Sequence, residues 1–292
     1  MKFSLNLSAE PIEHITALAQ AAEQAGFSAI SIPDSICYPK QADSTYPYNA
    51  DGSRDFLEDQ PFIDPFIQAT HIAAVTHSIR IITCVYKLPV RQPVIVAKML
   101  SSIAAISNNR FDFGVGISPW REDFAATGVP WEKRGARLDD CIAILRGLLT
   151  GDYFSFKSEL FEIPEIKLCP VPGQPVAILL GGHAEVALQR AARVGDGWIA
   201  ASGKVEELSV MIERLRELRK QYQRDHLPFQ LHAMGAEAFT LPGVAKLQAI
   251  GIDQVYLGFH DIYSGKKDQR TLQQKIDQVH WYADSIINKQ QN

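Results

Sequence analysis

Short apolar runs and longer amphipathic segments alternate along the whole chain. The runs are rich in β-branched and aromatic residues, which is typical of buried strands, and the segments between them have helical spacing. Strands are predicted over residues 3–7, 27–32, 79–85, 111–117, 176–180, 197–200, 229–234 and 254–259. Helices are predicted from a start signal at Ser8 and Pro11 through residue 26, from Pro93 through residue 106, and over 64–76, 137–149, 184–194, 205–223, 242–250 and 269–287.

Two segments interrupt this alternation. A polar loop that contains proline and tyrosine occupies residues 35–60, between the second strand and its helix. An insertion of that length at the active end of a barrel is usually functional or disordered, and we expect this one to be a lid. Residues 153–163 alternate like a small hairpin before the fifth strand, and a proline-rich connector, 170–173, follows them.

The number and order of the elements point to one fold class. Eight strand–helix units in one chain of 292 residues, with strands that need burial on both faces, predict a single (β/α)8 barrel domain over residues 1–292. A doubly wound open sheet is the alternative, because both folds share the same βαβ units. The first strand is not followed by G-x-G-x-x-G, and this favours the barrel.

Composition and charge narrow the choice of partners. Hydrophobic residues make up 46% of the chain and charged residues 21%, as in a globular protein. The net charge of −4 gives no basic footprint for nucleic acid or an anionic membrane. No apolar stretch reaches the ~18 residues that a membrane helix needs. Cys37, Cys84, Cys141 and Cys169 are far apart and form no metal or disulfide pattern, so we expect reduced thiols and a cytoplasmic protein.

In a barrel, the catalytic residues lie at the carboxyl ends of the strands. The predicted ends carry Asn6, Asp34, Cys84-Val85, Gly116-Ile117-Ser118, Gly181-Gly182-His183, Ala201-Ser202, Gly235 and Phe259-His260. These residues include no metal-binding cluster, no glycosidase carboxylate pair and no G-x-S-x-G elbow. A site with so few charged groups suits a protein whose chemistry is carried by a bound cofactor.

The turn Gly181-Gly182-His183 is the sharpest local signal. Two glycines end a strand and a helix follows at once, so backbone N–H groups and the helix dipole converge where a phosphate could bind. An ordinary tight turn between a strand and a helix has the same sequence.

A larger set of motifs occurs in a fixed order over residues 1–200. The set comprises Pro33-Asp34, Leu88-Pro89-Val90-Arg91-Gln92-Pro93, Ala97-Lys98, Ser107-Asn108-Asn109-Arg110, Gly114-Val115-Gly116, Trp120 with Glu122 and Phe124, Gly128, Arg134 with Arg137, Phe156 with Phe161, Pro170-x-Pro172, Gly181-Gly182 and Gly195-Asp196-Gly197-Trp198. Together they resemble the luciferase-like flavin and deazaflavin oxidoreductase family. The loop motifs Tyr46-Pro47-Tyr48 and Asp51-Gly52 are similar to those of the compact branch usually described as F420-dependent.

This resemblance implies a (β/α)8 barrel, often a homodimer, that uses the deazaflavin F420 or FMN to move a hydride or to activate oxygen on a small organic substrate. It also implies site residues, of which Asp34 and His183 are the candidate catalytic ones. Asp34 would lie near the tricyclic ring, and Cys84-Val85 would form a bulge with a non-prolyl cis peptide behind the ring. Gly116 and Ser118 would flank the ring and its side chain, and Gly181, Gly182 and His183 would bind the phosphate.

Two positions depart from the family pattern. Many F420 enzymes of the family have His directly after the aspartate and Glu just beyond the fourth strand, whereas this chain has Ser35 and the turn Gly116-Ile117-Ser118. A sugar-phosphate substrate is therefore disfavoured. F420-dependent hydride transfer, FMN-dependent monooxygenation and a non-catalytic cofactor-binding homologue all remain open.

Four other residues are interpreted from the sequence alone. His232 and His260 are unassigned acid–base candidates that could equally be structural. Glu122 and Asp123 are interpreted as the solvated start of a helix.

Overall fold

The computed structural model describes residues 1–47, 52–264 and 268–290, with the side chains of Ala236 and Ser264 left out. Tyr48 and Asp51, part of the predicted loop motifs, lie outside the described residues. The strands are β1 Lys2–Asn6, β2 Ala29–Ile32, β3 Arg80–Thr83, β4 Tyr86–Lys87, β5 Phe111–Gly116, β6 Phe154–Lys157, β7 Glu162–Ile166, β8 Ile178–Gly181, β9 Gly197–Ala200, β10 Gln230–Met234 and β11 Gln254–Leu257.

Helices alternate with these strands. They are α1 Ile15–Gln24, α2 Pro65–Val75, α3 Pro93–Ile106, α4 Arg121–Ala126, α5 Arg134–Leu148, α6 Glu185–Val194, α7 Val205–Gln221, α8 Leu241–Ile250, α9 Leu272–Tyr282 and α10 Asn288–Gln290. Single 3-10 turns occur at Ile12–His14, Asp55–Leu57, Leu88–Val90, Ala236–Phe239 and Ile262–Ser264, and a π-helical turn, Ala283–Ile287, joins α9 to α10. No helix among the described residues is both long and apolar enough to cross a membrane.

Parallel pairing closes the sheet into a barrel. In the described chain the order runs β3-β2-β1-β11-β10-β9-β8-β5, and pairing of β3 with β5 completes the ring. The predicted (β/α)8 barrel is confirmed. The predicted hairpin is also present, as the antiparallel pair β6 and β7 outside the barrel.

The protein has two apolar cores, as a barrel of this size requires. The larger one lies between the strands and the surrounding helices. The smaller one fills the inside of the barrel with Ala29, Ile82, Leu179, Ile199 and Tyr256, and Cys84, Val85 and Met234 pack against it. These last three residues lie toward the carboxyl ends of their strands, so the inner core forms the base on which a site at that end is built.

Two details of the predicted elements were wrong. Ser8 does not cap a helix: its backbone N–H and hydroxyl both donate to Asn6 Oδ1, at 3.1 and 2.7 Å, and α1 begins only at Ile15. The strand predicted over residues 79–85 ends at Thr83. Pairing resumes at Tyr86, so that the five residues from Ile82 to Tyr86 oppose the four from Asp112 to Val115. One extra residue on one strand is a β-bulge, and it lies at Cys84 and Val85.

Candidate active site

A cavity of about 840 Å³ opens at the carboxyl end of the barrel. Residues that follow β1, β2, β3, β5, β8, β9, β10 and β11 all line it, among them Asp34, Gly116, Gly182 and His260. Its volume is at the upper end of the range for small-molecule sites. The cavity therefore has room for a tricyclic cofactor together with a small substrate.

Val85 packs against two other predicted site residues, Gly116 and Gly181, on one wall of this cavity. A Cβ on Gly116 would lie 2.8 Å from Val85 Cγ2, and a Cβ on Gly181 would lie 3.0 Å from Val85 Cγ1. The bulge side chain therefore fits between the ends of β5 and β8 only because both positions are glycine. All three residues line the cavity.

The peptide bond between Cys84 and Val85 is cis. The sequence resemblance predicted this bond and the bulge around it, and both are confirmed. Cys84 also lines the cavity, and burial raises the pKa of its thiol to about 12. The thiol is therefore neutral at physiological pH, so Cys84 acts as a small wall residue and not as a nucleophile.

The Gly181-Gly182-His183 turn is held rigidly by the next strand. Gly182 has a φ of +122°, where an L side chain is strained, and its carbonyl accepts a hydrogen bond from the buried Trp198 indole at 2.8 Å. His183 Nε2 accepts from the Ala201 N–H at 3.1 Å. Burial lowers the pKa of His183, in agreement with a neutral ring that accepts at Nε2. Gly181 and Gly182 line the cavity, whereas His183 does not and fastens the turn from behind.

Asp34 lines the cavity but is firmly paired. Its carboxylate accepts from both terminal nitrogens of Arg91, at 2.6 and 2.9 Å, and from the Lys87 backbone N–H at 2.7 Å. Only 1% of its side chain is exposed. Such a bidentate pair fixes both residues, so Asp34 supports the wall that carries Lys87.

Asp123 and Ser118 lie behind the cavity wall. Asp123 accepts a hydrogen bond from Lys87, and Ser118 donates one to Asp123. Lys87 Nζ is 2.7 Å from Asp123 Oδ2, and the Ser118 hydroxyl donates to the same oxygen at 2.5 Å. The interpretation of Asp123 as solvated is wrong, because only 2% of its side chain is exposed. The predicted helix start is present as the short helix α4, which turns Asp123 inward. Lys87 lines the cavity, and sequence reasoning missed it because a lysine beside a loop is usually solvated.

The family model described as luciferase-like monooxygenase matches residues 2–239, more than half of the chain. The chain belongs to the luciferase-like monooxygenase family. The resemblance predicted from the ordered motifs is confirmed.

Two relatives and one solved structure illustrate what this family member is similar to. An uncharacterized protein of Mycobacterium tuberculosis is 44% identical over 289 residues, which are 99% of this chain and 100% of the relative. An F420-dependent glucose-6-phosphate dehydrogenase of Amycolatopsis mediterranei is 30% identical over 156 residues, 46% of this chain and 47% of the relative. The crystal structure of the monooxygenase RslO1 from Streptomyces bottropensis superposes with a TM-score of 0.79 at 14% identity, covering 99% of this chain and 100% of that one, and it shares the fold.

In this luciferase-like protein, the long loop contributes aromatic side chains to the cavity. Tyr46 stacks on Trp120 with centroids 5.3 Å apart and contacts Phe56 and Tyr263 at 5.2 and 5.5 Å. All four rings line the cavity, and the hydroxyls of Tyr46 and Tyr263 are 2.9 Å apart. The cluster joins the loop to α4 and to the segment after β11, so the loop covers part of the cavity mouth.

The two unassigned histidines of this family member have different surroundings. His232 lies inside the barrel, where Nδ1 is 2.7 Å from the Tyr256 hydroxyl and Nε2 is 3.0 Å from Gln230 Oε1. Because Gln230 Oε1 can only accept, Nε2 carries the proton and Nδ1 accepts from Tyr256. Burial lowers the pKa of His232 to about 3, and it is a structural neutral histidine.

His260 lines the cavity, and its Nδ1 is 3.5 Å from Asp268 Oδ2. Glu10, His260 and Asp268 could together offer metal ligands within 4.8 Å of one another. The Lys275 ammonium lies among them, however, 2.5 Å from Glu10 and 3.3 Å from Asp268. This buried cation pairs with both carboxylates, and Arg270 also pairs with Asp268 at 2.9 Å, so the cluster is a salt-bridge network that joins the start of the chain to α9.

Proposed function

We propose that this protein is an oxidoreductase that holds F420 or FMN in the barrel cavity and transfers a hydride between that cofactor and a small, largely apolar organic substrate. F420 is the first choice, because the Amycolatopsis relative is named as F420-dependent and the motifs of the long loop resemble those of the F420 branch. When bound, either cofactor supplies the hydride donor or acceptor.

One observation carries the proposal. Val85 lies between Gly116 and Gly181 on the cavity wall, next to the Gly181-Gly182 turn. The apolar Val85 side chain beside a glycine turn suits a molecule that has a planar ring at one end and a phosphate at the other.

The donor set of the cavity fits such a cofactor. The turn between β8 and α6 and the start of α7, at Gly203 and Lys204, both line the cavity, and both provide backbone N–H groups at helix N-termini. Beside the Gly181-Gly182 turn the cavity lining is apolar, with Val85, Ile199 and Met234. The anionic end would lie at the glycine turn, and the ring would lie against Val85.

The other residues of the site bind, orient and exclude water. Asp34, with Arg91, fixes the wall beside the ring, and Ser118 holds Asp123 in place. His183 keeps the phosphate turn in shape through Ala201. Tyr46, Trp120 and Tyr263 would cover the substrate and keep water from the reacting carbon.

FMN-dependent monooxygenation is the second candidate, because the matching family model is described as luciferase-like monooxygenase. The two reactions differ in their use of oxygen. A homodimer and a cytoplasmic location, both expected from the sequence, stay predictions. The expectation of a small-molecule substrate, with no nucleic-acid or membrane partner, also stays a prediction.

Turnover under controlled oxygen tests the proposal. The purified protein is incubated with reduced F420 or reduced FMN and a panel of small ketones and alkanes, with and without oxygen. The proposal predicts oxidation of F420 that needs a ketone and proceeds without oxygen. Substrate-dependent oxygen uptake with FMN would favour the monooxygenase, and no reaction in any condition would favour a non-catalytic homologue.

A further inference from the structure

Lys87 is fixed at its backbone more firmly than a surface lysine would be. It pairs with Gly116 in the short strand β4, just beyond the bulge. Its N–H donates to Asp34 at 2.7 Å, and its carbonyl accepts from Arg91 at 3.1 Å. These contacts fix the backbone of Lys87 next to the cavity wall formed by Cys84 and Val85.

The side chain ends in a buried ion pair with Asp123. Only 9% of Lys87 and 2% of Asp123 are exposed, and their charged atoms are 2.7 Å apart. Ser118 Oγ accepts from the Trp120 N–H at 3.0 Å, which directs its own hydrogen toward Asp123. Because Asp123 Oδ2 accepts from two donors, Asp123 is the carboxylate and Lys87 carries the proton.

The Lys87 ammonium has donors left over. It has three N–H bonds, and Asp123 is its single acceptor among the residues that the structure describes. Lys87 lines the cavity, so the oxygen of a bound substrate can accept a hydrogen bond from this ammonium.

The two positions at which the family pattern has proton-transfer groups carry no titratable side chain in this protein. Ser35 and Ile117 occupy the region where many F420 enzymes of the family have His and Glu. Both oxygens of the Asp34 carboxylate are engaged, by Arg91 and by the Lys87 backbone N–H. Lys87 is the charged donor on this wall that is not fully engaged.

We propose that Lys87 is a catalytic residue that binds the oxygen of a carbonyl or alcohol substrate and exchanges a proton with it, with Asp123 and Ser118 as positioning residues. This inference rests on the proposed function and narrows its substrate to ketones and secondary alcohols. In the direction of reduction, the carbonyl carbon gains a hydride from the reduced deazaflavin or flavin. The electron pair of the C=O π bond moves to oxygen, and that oxygen takes a proton from Lys87 Nζ. The carbonyl is reduced to an alcohol, the cofactor is oxidised, and the neutral amine regains its proton from water.

The test uses cyclohexanone as the probe and cyclohexane as a probe of similar shape without oxygen. The ¹⁵N ammonium signal of Lys87, assigned by its loss in Lys87→Met, is followed as each probe is added to the whole protein with bound cofactor. The proposal predicts that cyclohexanone shifts this signal and cyclohexane does not. It also predicts that Lys87→Met weakens cyclohexanone binding about tenfold or more and leaves cyclohexane binding unchanged, the size expected for a hydrogen bond to a charged group.

Lys157→Met is the matched control, because Lys157 forms an exposed pair with Glu162 at 2.9 Å outside the cavity. It should bind both probes as the wild type does. Equal loss in both lysine variants, or no shift of the Lys87 signal with cyclohexanone, would overturn the proposal.

A second variant, Asp123→Asn, tests positioning while keeping Lys87. Loss of this ion pair removes the contact that fixes the ammonium, so the shift of the Lys87 ¹⁵N signal with cyclohexanone should be smaller than in the wild type, and cyclohexanone binding should weaken. A signal shift and an affinity equal to those of the wild type would contradict the positioning role of Asp123.

A titration of the same samples with F420 and FMN separates the two proposals. If the wild type binds neither cofactor, the proposed function fails, whatever Lys87 does. If a cofactor binds and the affinity for cyclohexanone is the same in the wild type and Lys87→Met, this inference alone fails.

Discussion

Asp34 and Arg91 form a two-pronged salt bridge at the edge of the cavity, with both carboxylate oxygens accepting from the guanidinium. The Asp34 side chain is 1% exposed and that of Arg91 is 19% exposed. Their contacts with the Lys87 backbone extend this pair to the wall of the site.

Removal of Arg91 should therefore destabilise the fold. Arg91→Met leaves a buried carboxylate without its cation, and we expect the free energy of unfolding to fall by about 3 kcal/mol. The double variant Asp34→Asn/Arg91→Met also removes the negative charge of Asp34, and it should be more stable than Arg91→Met alone. Urea denaturation of the three proteins measures this, and an Arg91→Met loss below about 0.5 kcal/mol would refute the expectation.

His232 should make the protein sensitive to acid. Its folded pKa of about 3 is below its unfolded value of about 6.5, so the unfolded chain binds more protons between these two values. Stability is full above about pH 6.5 and falls as the pH drops toward 3. At about pH 4.5 the loss from this residue should be about 3 kcal/mol.

Unfolding measured at pH 6.5 and 4.5 checks this expectation. His232→Gln should lose less stability between the two pH values than the wild type, because its side chain does not titrate. His226→Gln, at an exposed position, is the control and should keep the wild-type slope. Identical slopes in all three proteins would exclude His232 as the acid sensor.

The long loop should open and close over the cavity. Glu122 accepts from the N–H groups of Asp43 and Ser44, at 3.1 and 3.4 Å, and from Arg54 at 3.3 Å. Glu122→Gln removes the charge that holds these donors, so amide hydrogen exchange at Asp43 and Ser44 should become faster. In the wild type, bound cofactor should slow exchange in the loop. Glu159→Gln, in the exposed pair with Lys133, serves as control.

Exchange in the loop that neither Glu122→Gln nor cofactor alters would show that it is a static cover. The lid interpretation would then fail.

The barrel could be predicted from the sequence because its signal is repeated. Most barrel strands are short apolar runs and most of the long helices bury apolar side chains, so errors at the ends of single elements, such as Ser8 or residues 79–85, do not change the fold. The cis bond at Cys84 and Val85 was predictable only through the resemblance of the motifs, since neither residue type favours it.

The charged part of the site could not be predicted in the same way. Lys87 and Asp123 are 36 residues apart, and their pairing depends on α4, a helix of six residues with too few apolar positions to show a period. The Glu10–Lys275 pair, 265 residues apart, arises because the barrel brings its first and last strands together. Such pairs are set by closure of the barrel and leave no local pattern.

Equilibrium titration with F420 and FMN, followed by quenching of protein fluorescence, tests the central claim most directly. The wild type should bind one of the two saturably. Gly182→Val should lose that binding while still unfolding cooperatively, because a side chain there would be strained at a φ of +122° and its Cβ would lie 2.9 Å from Ala187. Gly128→Val, also at positive φ but with open space around it, controls for backbone strain and should bind as the wild type does. Failure of the wild type to bind either cofactor, or unchanged affinity in Gly182→Val, would contradict the account.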